Sequence, residues 1–167
     1  MGRVNTSALT HRPARPASSL VGLVVAVVLV AVAAGVGALA SSSAGSTYDS
    51  LEQPPWAPPA GLFGPVWTVL YVLIAVAGWL VWRRYGLCRA VILWGVQLVL
   101  NALWTPLFFG AGLYTLALVE IALLDLAVIA TIAMFARRTP LAAVLMAPYL
   151  LWTLFATALT AAIVTLN

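Results

Sequence analysis

Apolar residues in this chain run in long uninterrupted blocks, and polar residues are confined to the gaps between them. Five blocks have about the ~20-residue length that a helix needs to cross the hydrocarbon of a bilayer. They span roughly residues 20–40, 62–82, 90–109, 113–135 and 141–166. Arg83 and Arg84 close the second block, Gly110 and Gly112 the third, and Arg137 and Arg138 the fourth. The pattern predicts an all-α integral membrane protein, a bundle of five transmembrane helices occupying residues 20–167. Residues 1–19 read as a disordered basic tail, and residues 41–61 as a loop long enough to fold over one end of the bundle.

Composition agrees with that pattern. Of 167 residues, 64% are hydrophobic and 7% charged, with a mean hydropathy of +1.09, more apolar surface than a soluble domain of this length buries. An arginine-rich start, an apolar run and Ala38-Leu39-Ala40 before Ser41 also fit a cleaved signal peptide. The run is longer than the ~7–15 apolar residues of such a leader, which favours a span.

Charge sets the expected orientation. There is no lysine, and the arginines fall in three segments: Arg3, Arg12 and Arg15 before the first span, Arg83, Arg84 and Arg89 between the second and third, Arg137 and Arg138 between the fourth and fifth. All of these lie on one side of a five-span layout, opposite Asp49 and Glu52. The positive-inside tendency therefore predicts a cytoplasmic N-terminus, an external C-terminus and insertion in the cytoplasmic membrane. Arginines dispersed in this way mark topology rather than a nucleic-acid partner.

The inventory of reactive groups is thin. His11 lies in the tail and Cys88 in a basic loop, so a zinc site, a Cys-His pair, a Ser-His-Asp triad and histidine-ligated haem all lack residues in the membrane body. Met134 and Met146 read as core filler. Glu120 and Asp125, five apart, lie about 140° apart around one helix and form no evident catalytic pair. No catalytic residues, no metal ligands and no obligatory cofactor are expected.

Polar and aromatic residues inside the spans are costly in lipid and should face inward. Gln97 and Asn101 share a face of the third span, with Trp104 three residues further on. Trp67 and Tyr71 repeat the four-residue spacing in the second span, and Tyr149, Trp152, Ala156 and Thr160 trace a stripe on the fifth. Interhelical packing and a ligand pocket explain these stripes equally well. Ahead of the second span, Pro54, Pro55, Pro58 and Pro59 stiffen the connection, and Trp56 offers an apolar ring from a lid. Ala33 and Gly37 in the first span permit close helix approach without assigning a dimer face.

Three motifs in order, YDSLEQPPWAPP with GLFGPVWTVLY, then QLVLNALWTPLFFG, then PYLLWTLFATAL, resemble the TspO/MBR family of translocator proteins, peripheral benzodiazepine receptors and bacterial tryptophan-rich sensory proteins. The resemblance implies a five-helix bundle, often a homodimer, with a pocket covered by the first loop. It implies binding of porphyrins and other tetrapyrroles, and of benzodiazepine-type synthetic ligands. By position, the implied pocket residues are Tyr48 and Pro58 of the lid, Trp67, Tyr71, Asn101, Trp104, Trp152 and Ala156, to which the residue pattern adds Trp56 and Gln97. Two departures bear on the ligand. Gln53 stands where the family commonly has a lysine, and Thr160 where it frequently has an asparagine. No conventional sterol-recognition segment follows Tyr149. The leading expectation is a receptor for porphyrins and related hydrophobic aromatic ligands, acting in tetrapyrrole homeostasis or stress signalling. The alternatives are a light- and oxygen-dependent porphyrin-degrading enzyme and a tetrapyrrole transporter or scaffold.

Overall fold

The structure is a computed structural model and describes residues 16–40 and 44–167. Its long helices are α1 (Pro16–Ala40), α3 (Phe63–Tyr85), α4 (Arg89–Thr105), α5 (Tyr114–Ala136) and α6 (Pro140–Leu166), and a short helix α2 (Ala44–Ser50) lies in the first connection. The five long helices, α4 taken together with the turn that carries it on to Gly110, have the length and hydropathy of membrane spans. Their outer surfaces are what lipid requires: Val24, Val28, Val69, Val99, Leu126 and Leu151 are all exposed. Of the expected tail, residues 1–15 lie outside the described residues, as do His11 and the three N-terminal arginines.

Small shifts from the expected boundaries have local causes. Helix α1 begins at Pro16, earlier than residue 20, because proline is at home in a first turn. Helix α3 runs on through Arg83 and Arg84 to Tyr85, since cations are favourable at a helix C-terminus, and ends at Gly86 with φ of 63°. Helix α4 stops at Thr105, before the expected 109. Pro106 has no N–H to continue the ladder, and a single π turn, Pro106–Gly110, takes over. Its closing bonds run from the Ala111 N–H to the Pro106 carbonyl (2.9 Å) and from the Leu113 N–H to the Leu107 carbonyl (3.0 Å). The first connection also contains α2, where the sequence suggested only a stiff loop.

Packed neighbours place the long helices in a ring ordered α1, α3, α6, α5, α4 and back to α1. Glycines set two close approaches. Gly22 of α1 lies against the indole of Trp82, and Gly78 of α3 against the indole of Trp94, so that a methyl group at either position would overlap the ring. Trp94 lies in this slot and donates its indole N–H to the Ile74 carbonyl at 3.1 Å. The half of the bundle nearer the arginines is thereby filled by Ile74, Ala77, Val81, Val91, Trp94 and Phe135. Ala33 is buried in the core, and Gly37 faces Thr105 and Tyr71.

A lidded aromatic cavity

The other half of the bundle packs a smaller core around Phe108, Ala117, Leu159 and Ile163 and leaves a cavity beside it. Its roof is α2 and the proline-rich segment after it. Tyr48 is buried and donates its hydroxyl to the Pro58 carbonyl at 3.1 Å, closing the segment on itself. Burial, followed by the neighbouring Asp49 carboxylate, holds the Tyr48 phenol above its usual pKa, so it remains a donor. The Gln53 side-chain amide donates to the Tyr48 carbonyl. Gln53 thus helps to shape the lid.

The lid is also fastened to α6. The Asn167 side chain accepts the Glu52 N–H at 3.0 Å and donates to the Glu52 carbonyl at 3.1 Å, with a further bond to the Ile163 carbonyl at 3.0 Å. Asn167→Ala is expected to release this clamp. Amide hydrogen exchange should show faster exchange at Glu52 while the spans keep their protection, and unchanged exchange at Glu52 would remove the clamp from the account.

Below the roof, Tyr48 meets Phe63 edge-on at 5.4 Å, Phe63 meets Trp152 at 5.8 Å, and Trp152 lies against Phe155 at 5.4 Å. A cavity of about 470 Å³ opens between α1, α2, α3 and the end of α4, bounded by Ala34, Gly37, Tyr48, Trp67, Tyr71 and Trp104. A narrower cleft of about 20 Å³ lies beside it between α3, α4, α5 and α6, bounded by Asn101, Trp152, Thr153 and Ala156. Phe63, Trp67, Tyr71, Trp104 and Thr105 border both spaces and so form the wall between them. In that wall Trp67 and Tyr71 lie 5.3 Å apart, and Trp104 stacks on Phe108 at 5.1 Å.

The floor is polar. The Tyr71 hydroxyl donates to Asn101 Oδ1 at 3.1 Å, and Asn101 Nδ2 donates to the Tyr149 hydroxyl at 3.2 Å. One amide therefore ties α3, α4 and α6 together in the interior. By contrast, the indole N–H groups of Trp104 and Trp152 are buried without a hydrogen-bond partner. An indole nitrogen can only donate, so these two groups call for an acceptor.

The expected site residues separate into three groups. Tyr48, Trp67, Tyr71, Asn101, Trp104, Trp152 and Ala156 border one or both of the two spaces. Pro58 contributes its carbonyl to the lid, and Trp56 lies half outside, capping Phe155 edge-on at 5.8 Å. Gln97 is fully buried outside the lining, with neither amide atom partnered. The sequence reading did not include the contribution of α1 and α2, namely Ala34, Gly37, Ala38, Ala44 and Gly45. The spacing of small residues at 34, 37 and 38 was the only available signal.

Both acids of α5 are buried in the bundle. Helix α5 packs between α4 and α6, so its buried arc is wide enough for Glu120 and Asp125. Asp125 accepts the Thr157 hydroxyl at 2.7 Å, whereas neither carboxylate oxygen of Glu120 has a partner. Neither residue borders the cavity.

These features define a polytopic α-helical membrane protein with a lidded, aromatic-walled cavity. The family profile described as TspO/MBR matches residues 24–166, and the chain belongs to that family. A tryptophan-rich protein TspO of Archaeoglobus fulgidus is 43% identical over 122 residues, 72% of this chain and 79% of that one. The human translocator protein is 41% identical over 117 residues, 67% of this chain and 69% of its own. Protein CrtK of Rhodobacter capsulatus is 35% identical over 156 residues, covering 89% of this chain and 94% of its own.

Proposed function

We propose that this protein is a membrane receptor for porphyrins and related planar, hydrophobic aromatic molecules, which it holds beneath the lid. The carrying observation is the combination of a roughly 470 Å³ aromatic-walled space with two buried, unpartnered indole donors. That volume lies in the range of pockets that enclose small organic ligands. A planar ring system stacks on Trp67 and Trp104, and its carboxylate or carbonyl groups accept from Trp104 and Trp152. Asn101 is engaged on both arms by tyrosines, so its contribution is chiefly to hold the floor. The reading includes a homodimer in the cytoplasmic membrane with the arginine-bearing end inside, and a role in tetrapyrrole homeostasis or stress signalling. Two relatives are named translocator protein and tryptophan-rich sensory protein, names that speak of translocation and sensing.

The test is a titration with protoporphyrin IX in the dark, in detergent, followed by tryptophan fluorescence and porphyrin absorbance. Saturable binding at micromolar concentration or tighter is expected. Trp104→Phe/Trp152→Phe keeps the apolar rings but removes both donors, and should weaken binding by about tenfold. Non-saturable quenching by wild type would overturn the porphyrin reading. Equal affinity in the double variant would overturn the role of the indole N–H groups.

A further inference from the structure

Five arginines crowd the end of the bundle away from the lid: Arg83 and Arg84 in the last turn of α3, Arg89 opening α4, and Arg137 and Arg138 between α5 and α6. Every described carboxylate side chain is elsewhere. Asp49 and Glu52 lie in the lid connection, and Glu120 and Asp125 inside the bundle. The chain therefore supplies no acidic side chain to neutralise this end.

Two of the guanidinium groups are held in place. That of Arg83 lies 4.7 Å above the Trp79 ring, and Trp79 is anchored by donating its N–H to the Ser19 carbonyl at 3.0 Å. That of Arg138 lies 5.1 Å above the Tyr85 ring, whose hydroxyl donates to the Arg138 carbonyl at 3.0 Å. Stacking of this kind orients the planar fork that pairs with phosphate oxygens. Helices α4 and α6 begin at the same end, with no side-chain cap and no acid in their first turns, which adds positive ends of helix dipoles. The buried Thr139 hydroxyl beside the start of α6 has no partner.

The chemistry surrounding these cations selects the counterion. Leu87 and Leu141 stand exposed beside the arginines, at 70% and 58%, and the spans they adjoin are lipid-facing. A soluble anion would satisfy the charge and leave these side chains in water. An amphiphile with a phosphate headgroup satisfies both. We infer that the arginine-bearing end of the bundle binds anionic phospholipid, with headgroup phosphates met at the two stacked guanidinium groups, Arg83 on one side and Arg138 on another, and the acyl chains lying along the adjoining spans. This site is separate from the lidded cavity and does not depend on what that cavity binds.

Thermal unfolding of the full chain in neutral detergent, titrated with phosphatidylglycerol, tests the inference. Phosphatidylcholine and glycerol 3-phosphate serve as parallel arms. Saturable stabilisation by phosphatidylglycerol alone is expected. Its apparent affinity should fall about tenfold or more in Arg83→Gln/Arg138→Gln. The exposed pair Arg84→Gln/Arg137→Gln should lose several-fold, and provides the reading if the first pair does not fold. Equal stabilisation by phosphatidylcholine, or unchanged affinity in a folded variant pair, would overturn the site. Equal stabilisation by glycerol 3-phosphate would overturn the lipid assignment in favour of a soluble anion.

Discussion

Ala156→Leu is expected to weaken protoporphyrin binding by about ten- to a hundredfold, with the helical content retained. Ala156 is 6% exposed and borders the narrow cleft of about 20 Å³ next to Trp152. The added carbons of leucine exceed that space. They push Trp152 and the shared wall toward the larger cavity, where the ligand would lie. Overfilling a packed site costs ~1–3 kcal/mol, and each 1.4 kcal/mol charged to the bound state is tenfold in affinity. Ala156→Ser is nearly the same size and should bind as wild type does. Parallel titrations of the three proteins decide the matter, and an unchanged dissociation constant in the leucine variant would place the ligand away from this wall.

The second large effect concerns the floor. Asn101→Leu removes the acceptor for Tyr71 and the donor to Tyr149, whose side chain is entirely inaccessible. Orphaning a buried polar group costs ~1–3 kcal/mol, and hydrogen bonds between membrane helices average ~0.6 kcal/mol. A loss of about 2–4 kcal/mol in unfolding by a denaturing detergent is expected, because two groups are stranded together. Replacing the tyrosines as well, in Tyr71→Phe/Asn101→Leu/Tyr149→Phe, removes the stranded groups and should recover most of that loss. A triple variant no more stable than Asn101→Leu would show that the three side chains do not act as a unit.

The same three residues show how far linear spacing reaches. The helical period put Tyr71, Asn101 and Tyr149 on inward faces of three different spans. It could not say that they bond to one another, because that depends on the order of helices around the ring. Helix α1 packs between α3 and α4 although α3 and α4 are consecutive in the chain. Asn101, expected as a ligand contact, is in addition a tie across the bundle. Trp104 and Trp152, expected as stacking surfaces, likewise carry unpartnered donors.

The lid shows a similar limit. Its prolines, Trp56 and Tyr48 are visible in the sequence, and the structure sets Tyr48 at the border of the cavity. Helix α2 was not foreseen, since seven residues form a stable helix only when tertiary contacts hold them. Here Tyr48 supplies those contacts through Phe63 and Pro58. The pairing of Glu52 with Asn167 joins residues 115 apart in the chain, and no periodicity reports such a contact.

What the sequence determined by itself is the membrane class, the five spans and their approximate limits, and the inward aromatic faces. Each follows from short-range quantities, namely apolar run length against bilayer thickness, the positions of charges and breakers, and the helical repeat. The tertiary structure alone decided the order of the helices, the division of the interior into a wide and a narrow space, and the burial of both Glu120 and Asp125. It also decided which polar atoms were left without partners. Those outcomes arise from packing between residues distant in the chain, where small residues such as Gly22 and Gly78 set how closely helices meet.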